Sequence, residues 1–239
     1  MTSNAMPLRQ HERTAATRGA IVGAARKLFA EGGYEATTIE DIARRAGVSK
    51  GALYHHYADK AEVLVAVYED LEVEVVELLL NTAGAESEPV AALRAGCHAF
   101  LDACLNPVFR RIALIDAPSA LGWERWRSID ARHGFGILRA GLQAAADHRR
   151  IGPDHLAERA HLMLAILIEA ALVVGRSDDQ RATRKAMGTL IDEHIAALVR
   201  TAPPEAKELT NDVHLEQSGR RIPRGTPAGS DHLPRARDR

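Results

Sequence analysis

The sequence lacks the cysteine content of a disulfide-stabilised protein. Only two cysteines, Cys97 and Cys104, occur in 239 residues, which excludes a framework of several disulfides. On a single helix, seven residues would separate these two positions by ~10 Å along the axis, which is too far for one disulfide. Both side chains are therefore predicted to be free, buried thiols.

Long apolar runs and a large net charge are also absent. The longest apolar stretch, Leu162 to Ile168, ends at Glu169 and falls well short of the ~18 residues of a membrane-spanning helix. The first residues contain no apolar segment typical of a signal peptide, so we expect a cytoplasmic protein with no membrane partner. The net charge of −1 excludes a uniformly basic coat for nucleic acid, although residues 1–60 carry +3 and residues 61–200 carry −5.

Patterns typical of catalysis or cofactor binding are missing as well. The sequence contains no GxSxG, HExxH, CxxC or phosphate-binding loop. The pair Gly134 and Gly136 lacks both the third glycine and the preceding strand of a dinucleotide site. His55 and His56 would point ~100° apart on a helix and could not easily share a metal ion. We therefore expect no cofactor, no metal site and no enzymatic activity.

Apolar residues recur at helical spacing along most of the chain. A first helix carries Ile21, Ala24, Ala25, Leu28 and Phe29 on one face and ends at Gly32–Gly33. Later helices are predicted over roughly 89–105, 108–117, 120–147, 154–175 and 180–200, with Pro89 opening the first of them and Pro107 and Pro118 separating the next. The pattern predicts an all-α fold of about nine helices.

The most informative segment is residues 37–60, TTIEDIARRAGVSKGALYHHYADK. Thr38 and Ser49 are suited to cap two short helices, Gly47 to form the tight turn between them, and Asp59 to cap a long fourth helix. This pattern predicts a helix-turn-helix. A structural corner with a solvated face fits it too, but the small, cationic or hydrogen-bonding side chains left exposed on the second helix suit a DNA major groove. These are Ser49, Lys50, Gly51, Ala52, Tyr54 and His55.

Residues 14–70 resemble, almost without a gap, the DNA-binding domain of tetracycline-repressor (TetR) family regulators. Tyr57, where phenylalanine is usual, is a mild departure that keeps the aromatic ring. The matching positions are Ala25, Leu28, Phe29, Gly32, Gly33, Tyr34, Thr37, Thr38, Ile39, Ile42, Ala43, Ala46, Gly47, Val48, Ser49, Lys50, Gly51, Leu53, Tyr54, His56, Tyr57, Lys60 and Leu64.

The resemblance implies which residues contact DNA. The helix over residues 49–56 would be the recognition helix, with Lys50, Gly51 and Ala52 near base edges. Side chains around it would hold phosphates or flank the groove, and phosphate contacts fix register and supply salt-dependent affinity. The full expected set is Thr37, Thr38, Arg44, Arg45, Ser49, Lys50, Gly51, Ala52, Tyr54, His55 and Lys60.

The domain organisation predicted from these observations has four parts. A flexible arm covers residues 1–13, the helix-turn-helix domain (motif 37–56) residues 14–70, and an effector-binding and dimerisation domain residues 71–200. A proline-rich tail over residues 201–239 is predicted to be disordered. The resemblance implies that the body encloses a ligand and forms a homodimer through its last two long helices, 154–175 and 180–200.

The sequence of these two helices fits that role, because residues 161–174 are apolar almost all round and such a helix must be covered on both sides. The alternative is that both helices form only the core of a single subunit. The second helix carries an apolar stripe of Met187, Leu190, Ile191, His194, Ile195 and Leu198.

An effector pocket is predicted around the two tryptophans. Trp123, Trp126, Asp130 and His133 recur at spacings that put them roughly on one helical face, which could line a pocket for an amphipathic molecule. Core or interface packing is the alternative interpretation of such a stripe. Other residues proposed for the pocket wall are Phe100, Cys104, Phe109 and Ile112.

Together these features predict a ligand-responsive transcriptional regulator. It would act as a repressor, bind double-stranded operator DNA of pseudopalindromic sequence as a homodimer, and be released by an unknown small-molecule effector. Two other functions remain open: a DNA-organising protein that uses the same helix-turn-helix without an effector, and an α-helical enzyme.

Overall fold

The protein is built from helices packed in two groups that share one long helix. The computed structural model describes residues 5–200, with side chains described from residue 12 to residue 199. Over this part of the chain, and with the contiguous segments from Pro107 to Leu121 counted as one, nine helices and no strand are present, which confirms the predicted fold class. In chain order they are α1 (Ala5–Gly32), α2 (Ile39–Ala46), α3 (Lys50–His56), α4 (Lys60–Gly84), α5 (Pro89–Ala103), α6 (Pro107–Phe109), the π-helix π1 (Arg110–Asp116), α7 (Ala117–Leu121), α8 (Trp123–Asp147), α9 (Leu156–Arg176) and α10 (Gln180–Arg200).

The first three helices enclose a small core together with the start of α4. Ile21 and Phe29 of α1, Ile42 of α2, Leu53 of α3 and Leu64 of α4 are completely buried in it. Burial of a side chain of this size contributes about 1.5–3 kcal/mol relative to leaving it exposed, so this core holds the short helices α2 and α3 in place.

Helix α4 joins the first group to the rest of the molecule. Its buried residues run from Val63 through Leu71 to Val75 without a gap, and residues 5–200 belong to one compact unit. The predicted domain boundary between residues 70 and 71 therefore lies inside a continuous helix. Beyond it, α5 packs against α4, α8 and α10, and α9 packs against α8 and α10.

The segment before Pro118 is wider than an α-helix. The helical signals in the sequence predict a break at this proline, but α6, π1 and α7 follow each other directly and the chain breaks at Gly122, which has φ 78°. A proline lacks its N–H and clashes with the carbonyl four residues earlier. Five-residue π-type bonding through Arg110–Asp116 precedes this position, and such bulges are a recognised cause of helix distortion.

Helices α9 and α10 have buried and exposed apolar faces. Ile191 and Ile195, expected at an interface between subunits, are 2% and 1% exposed and pack in the core of the chain. Leu190, which directly precedes Ile191 on α10, is 54% exposed. The predicted stripe is therefore corrected: part of it fills the subunit core, and a different part is available for a partner. The exposed apolar side chains of α9 are Leu162, Ile166 and Val173.

The two ends of the chain differ in how far the structure describes them. Helix α1 begins at Ala5, so residues 5–13, predicted as a flexible arm, are helical. Alanine, leucine, arginine and glutamine favour a helix there, and a proline is tolerated in its first turn. The predicted disordered tail, residues 201–239, lies outside the described residues. Between residues 5 and 200 no helix combines the length and apolar character needed to cross a membrane.

Candidate nucleic-acid interface and effector cavity

Local hydrogen bonds fix the turn between α2 and α3. The Thr38 hydroxyl accepts the N–H of Asp41 at 3.1 Å, and the Asp41 carboxylate accepts the N–H of Thr38 at 3.3 Å, which together form a capping box. Gly47 ends α2 with φ 70°, a left-handed conformation that favours glycine. The Ser49 hydroxyl accepts the N–H of Ala52 at 3.1 Å and starts α3. These contacts confirm the predicted caps and turn.

Helix α3 buries one face and presents the other to solvent. Leu53 is completely buried and Val48 is half-buried against the same core, so the orientation of α3 is fixed from beneath. Around Gly51, an added Cβ would meet only the Ser49 Oγ, at 4.0 Å, which leaves open space above the helix. Ala52 is half-buried, and the exposed residues of this face are Ser49, Lys50, Gly51, Tyr54 and His55.

The basic side chains next to this face are paired with carboxylates. Arg45 donates to Glu31 at 2.6 and 2.8 Å, Arg44 pairs with Asp41, and Lys50 pairs with Glu40. The Lys50 ammonium lowers the pKa of the Glu40 carboxyl through its hydrogen bond. All three pairs are solvent-exposed, so solvent screens them and their net contribution to stability is small. These cations can therefore exchange a carboxylate for a phosphate at small cost.

Two residues of the predicted DNA-contacting set have structural partners instead. Thr37 is 5% exposed, and its hydroxyl donates to the Gly33 carbonyl at 2.8 Å. The Lys60 ammonium donates to the carbonyls of Tyr34 and Thr37, at 2.9 and 3.0 Å, and lies 4.1 Å from the Tyr34 ring centroid. Both residues stabilise the turn between α1 and α2. The Thr37 bond is local along the chain, whereas the Lys60 contacts form only when the start of α4 packs against this turn.

A cavity of about 190 Å³ lies between α4, α5, α8 and α9. Its wall is apolar apart from two carboxyl groups and a buried thiol. The residues that line it are Glu72, Val75, Val76, Leu79, Leu80, Ala83, Ala92, Leu93, Gly96, Cys97, Phe100, Asp130, Gly134, Ile137, Leu138, Ala140, Gly141, Leu164 and Leu167.

The two carboxyl groups of the cavity, Glu72 and Asp130, are each 5% exposed. Burial and, to a lesser extent, the Asp130 charge raise the pKa of Glu72 to about 8, against the opposing effect of a hydrogen bond with Tyr68. Burial likewise raises the pKa of Asp130 to about 6, against the opposing effect of Arg127, which donates to it at 2.6 Å. The cavity thus holds one carboxylate with a cationic partner and one carboxyl group that favours its neutral form.

Two family profiles match the two helical groups described above. Residues 21–67 match the profile described as bacterial regulatory proteins, tetR family, and residues 90–198 match the one described as tetracyclin repressor-like, C-terminal domain. The chain belongs to the TetR family. The first match contains the whole helix-turn-helix, and the second contains most of the cavity wall.

Individual TetR-family relatives match less of the chain. The TetC protein of transposon Tn10 from Escherichia coli is 28% identical over 131 residues, 55% of this chain and 66% of TetC. The transcriptional regulator TtgR from Pseudomonas putida is 36% identical over 91 residues, 37% of this chain and 43% of TtgR. The chain therefore spans less than two thirds of these curated relatives. A TetR-family regulator from Pectobacterium atrosepticum, known from a crystal structure, is 27% identical with a TM-score of 0.71 over 78% of this chain and 96% of its own.

The structure of this TetR-family chain places only two of the eight predicted effector residues, Phe100 and Asp130, at the cavity wall. Trp126 is 1% exposed, and its indole N–H donates to the Ala113 carbonyl at 2.9 Å, so it packs in the core. Trp123, whose ring centroid lies 5.1 Å from that of Trp126, is 57% exposed. The tryptophan stripe therefore joins α8 to π1, which is the packing alternative rather than a pocket wall.

The remaining predicted effector residues lie elsewhere. Cys104, Phe109 and Ile112 are buried in the core outside the cavity wall, and burial raises the pKa of the Cys104 thiol. His133 lines an open groove between α1, α4 and α8. Both cysteines are free and buried, as predicted. In the part of the chain that the structure describes, no cluster of three or more His, Cys, Asp or Glu residues is arranged to hold a metal ion.

Glu72 lines the cavity although its position in the sequence did not predict a site there. The usable signal was the position of a carboxyl group among Tyr68, Leu71 and Val75, on the buried face of α4. A glutamate in such a position is rarely buried without a partner or a function. Of the two carboxyl groups in the cavity, Glu72 is the one without a cationic partner among the described residues.

Proposed function

We propose that this chain is a ligand-responsive transcriptional regulator, which acts as a homodimeric repressor on a pseudopalindromic operator. The observation that carries this proposal is the capped helix-turn-helix of residues 38–56, which leaves a polar face of α3 uncovered above a fully buried Leu53. A face of small, cationic and hydroxyl groups held from beneath suits the major groove better than it suits a protein core.

Each residue of this face and its borders has a role in the proposed complex. Lys50, Gly51 and Ala52 approach base edges, and Ser49 lies beside them at the start of α3. The Thr38, Arg44, Arg45, Tyr54 and His55 side chains face the flanking phosphates. Arg44, Arg45 and Lys50 exchange their carboxylate partners for DNA, which makes binding salt-dependent. Lys60 and Thr37 support the turn from within rather than contacting DNA.

The proposed effector site is the cavity between α4, α5, α8 and α9. Helix α4 passes along its wall through Glu72, Val75 and Leu79 and begins beside the helix-turn-helix, so a change in the cavity wall has a direct route to the DNA-binding face. Ion pairs of Arg125 with Glu62 and Arg132 with Glu69 tie α8 to the same helix. An effector must bind one arrangement more tightly than the other, by a coupling free energy of typically ~1–3 kcal/mol.

The proposed dimer forms through the uncovered faces of α9 and α10. Leu162 and Ile166 of α9 are 64% and 37% exposed, and Leu190 of α10 is 54% exposed. A two-fold axis through these helices would cover the same patch on both subunits. It would also place two copies of α3 in successive major grooves, ~34–36 Å apart or a multiple of that distance.

The experiment that tests this function starts with selection of binding sites from random duplex DNA by the purified full chain. We expect enrichment of one pseudopalindromic sequence. Lys50→Ala should weaken binding to that duplex by about 1–3 kcal/mol and relax its sequence preference, because one base-edge contact is lost. Tyr54→Phe should weaken binding to selected and random duplex alike, because a phosphate partner is lost.

Arg139→Ala removes an exposed cation of α8 far from the helix-turn-helix and serves as the control, with unchanged affinity expected. Failure to enrich any sequence, with equal low affinity for all duplexes, would favour a DNA-organising protein instead. Failure to bind duplex DNA at all would overturn the proposal.

A further inference from the structure

The cavity wall contains two acidic side chains and no basic one. Glu72 and Asp130 are its ionisable carboxyl groups, and none of the described lining residues is a lysine, arginine or histidine. The rest of the surface is aliphatic except for the Phe100 ring and the Cys97 thiol, and burial raises the pKa of that thiol to about 12. Such a wall disfavours anions, and a neutral apolar molecule would leave both carboxyl groups without a binding partner.

The two carboxyl groups differ in their partners. Arg127 donates to Asp130 at 2.6 Å and offsets its charge from outside the cavity wall. Glu72 is hydrogen-bonded by the Tyr68 hydroxyl, which carries no compensating charge. Glu72 is only 5% exposed, and it forms no ion pair with any of the described residues. A buried carboxyl group in this situation can form an ion pair only with a cation that enters the cavity.

We propose that the effector of this regulator is a small organic cation whose protonated amine binds at Glu72, with its apolar body against Phe100 and the aliphatic wall. This inference rests on the proposed function in that the cavity is taken as the effector site. The volume sets the size of the ligand, because a cavity of about 150 Å³ holds benzene. About 190 Å³ therefore suits one ring with a short amine-bearing substituent. The Phe100 ring adds a face that attracts a cation.

Binding of such a cation must involve a proton. The groups that act on Glu72 are Tyr68 on its own helix and Asp130 on α8. Arg127 acts in turn on Asp130, and the Glu72 charge disfavours ionisation of the Cys104 thiol at the end of α5. With burial holding the pKa of Glu72 at about 8, its carboxyl group is mainly protonated near neutral pH. An ammonium group beside it favours the ionised form, so a bound amine releases that proton to solvent.

The test compares three ligands of similar size by calorimetric titration of the full chain: 2-phenylethylamine, 2-phenylethanol and phenylacetate. The amine should bind at least about tenfold more tightly than the alcohol, and phenylacetate should bind more weakly than both. Repeating the amine titration in buffers of different ionisation enthalpy should reveal proton release. Equal affinity for amine and alcohol, binding of none of the three, or amine binding without proton release would overturn the proposal.

Two variants locate the charge. Glu72→Gln keeps the size and a hydrogen-bonding group, and should abolish the preference for amine over alcohol together with the proton release. Glu77→Gln alters an exposed carboxyl group of the same helix and should preserve both. An amine preference that survives Glu72→Gln would contradict the proposal. If Glu72→Gln does not fold, proton release by the unmodified chain decides.

These titrations contain no DNA, so their outcome is separate from that of the proposed function. An amine preference in a chain that binds no operator would leave the ligand class standing and remove the regulatory role. Operator binding in a chain that binds no amine would do the reverse.

Discussion

The backbone N–H of Tyr34 donates to the Asp116 carboxylate, with 2.9 Å between nitrogen and Oδ2. Tyr34 lies in the turn after α1, and Asp116 is the last residue of π1, so this bond joins the helix-turn-helix group to the helical body. The Arg111 side chain donates to the same oxygen at 3.2 Å and lies directly against Gly33, where there is no room for a Cβ. This polar contact therefore adds a second link between the DNA-binding group and the body, besides the continuous helix α4.

Asp116→Ala removes this link without altering the proposed DNA-binding face. A hydrogen bond to a charged group contributes about 1.5–3 kcal/mol, so we expect a modest fall in the free energy of unfolding. The affinity for the selected duplex should fall about tenfold, because the two α3 helices of a dimer lose their fixed separation. Fluorescence anisotropy measures this, with Asp154→Ala, an exposed loop carboxylate, as the control. Wild-type affinity in a folded Asp116→Ala would show that the link has no part in DNA binding.

Gly51→Ala separates stability from DNA affinity. Alanine is about 1 kcal/mol more favourable than glycine inside a helix, and no atom lies close enough to clash with the new Cβ. We expect a raised free energy of unfolding and weaker binding to the selected duplex, because the methyl group occupies the space where DNA approaches. Gly136→Ala on α8, equally open, should stabilise the chain and leave DNA affinity unchanged. Unchanged affinity in Gly51→Ala would remove α3 from close contact with bases.

Glu72 makes stability depend on pH. Its pKa of about 8 in the folded chain is above the ordinary value of 4.5, so between these values the folded state holds a proton that the unfolded state has lost. The contribution of Glu72 to the free energy of unfolding is complete below pH 4.5. It decreases as pH rises above that value and is lost once pH has passed 8. From pH 6 to pH 8 we expect a loss of about 2 kcal/mol in wild type that is absent from Glu72→Gln. Urea unfolding at several pH values measures it, and parallel pH profiles for the two proteins would contradict the assignment.

Neighbouring positions of α10 should respond differently to a new charge. Ile191→Glu buries a carboxylate in the core of the subunit, at a cost of several kcal/mol, and should unfold the chain. Leu190→Glu changes an exposed residue, so the subunit should stay folded but sediment as a monomer with weaker operator binding. Circular dichroism and sedimentation velocity distinguish these outcomes. A Leu190→Glu chain that remains a dimer would place the interface elsewhere.

The features predicted correctly from the sequence are those determined by neighbours along the chain. Thr38, Ser49 and Asp59 cap helices because their side chains reach N–H groups three residues later, and Gly47 adopts the turn conformation that its missing Cβ permits. The helical periodicity likewise predicts the bounds of α9 and α10 to within a few residues.

Residues whose role depends on distant packing were predicted less well. Trp126 was proposed for the effector pocket because an aromatic stripe gives no sign of the Ala113 carbonyl that binds its N–H. Lys60 was proposed for DNA because a cation beside a helix-turn-helix resembles a phosphate contact, whereas folding brings the Tyr34 and Thr37 carbonyls to it. Glu72 was missed because the cavity is formed by four helices whose arrangement is not readable from the spacing of α4.

A hydroxyl-radical footprint of the full chain on the selected duplex shows where along the DNA a dimer of α3 helices lies. We predict two protected segments related by a dyad, with centres one helical turn of DNA apart, ~34–36 Å, or a whole multiple of it. We also predict that Lys50→Ala weakens both segments together at a concentration where Arg139→Ala protects them fully. Uniform protection of the duplex, or the same footprint in Lys50→Ala as in wild type, would contradict the claim that α3 reads the operator.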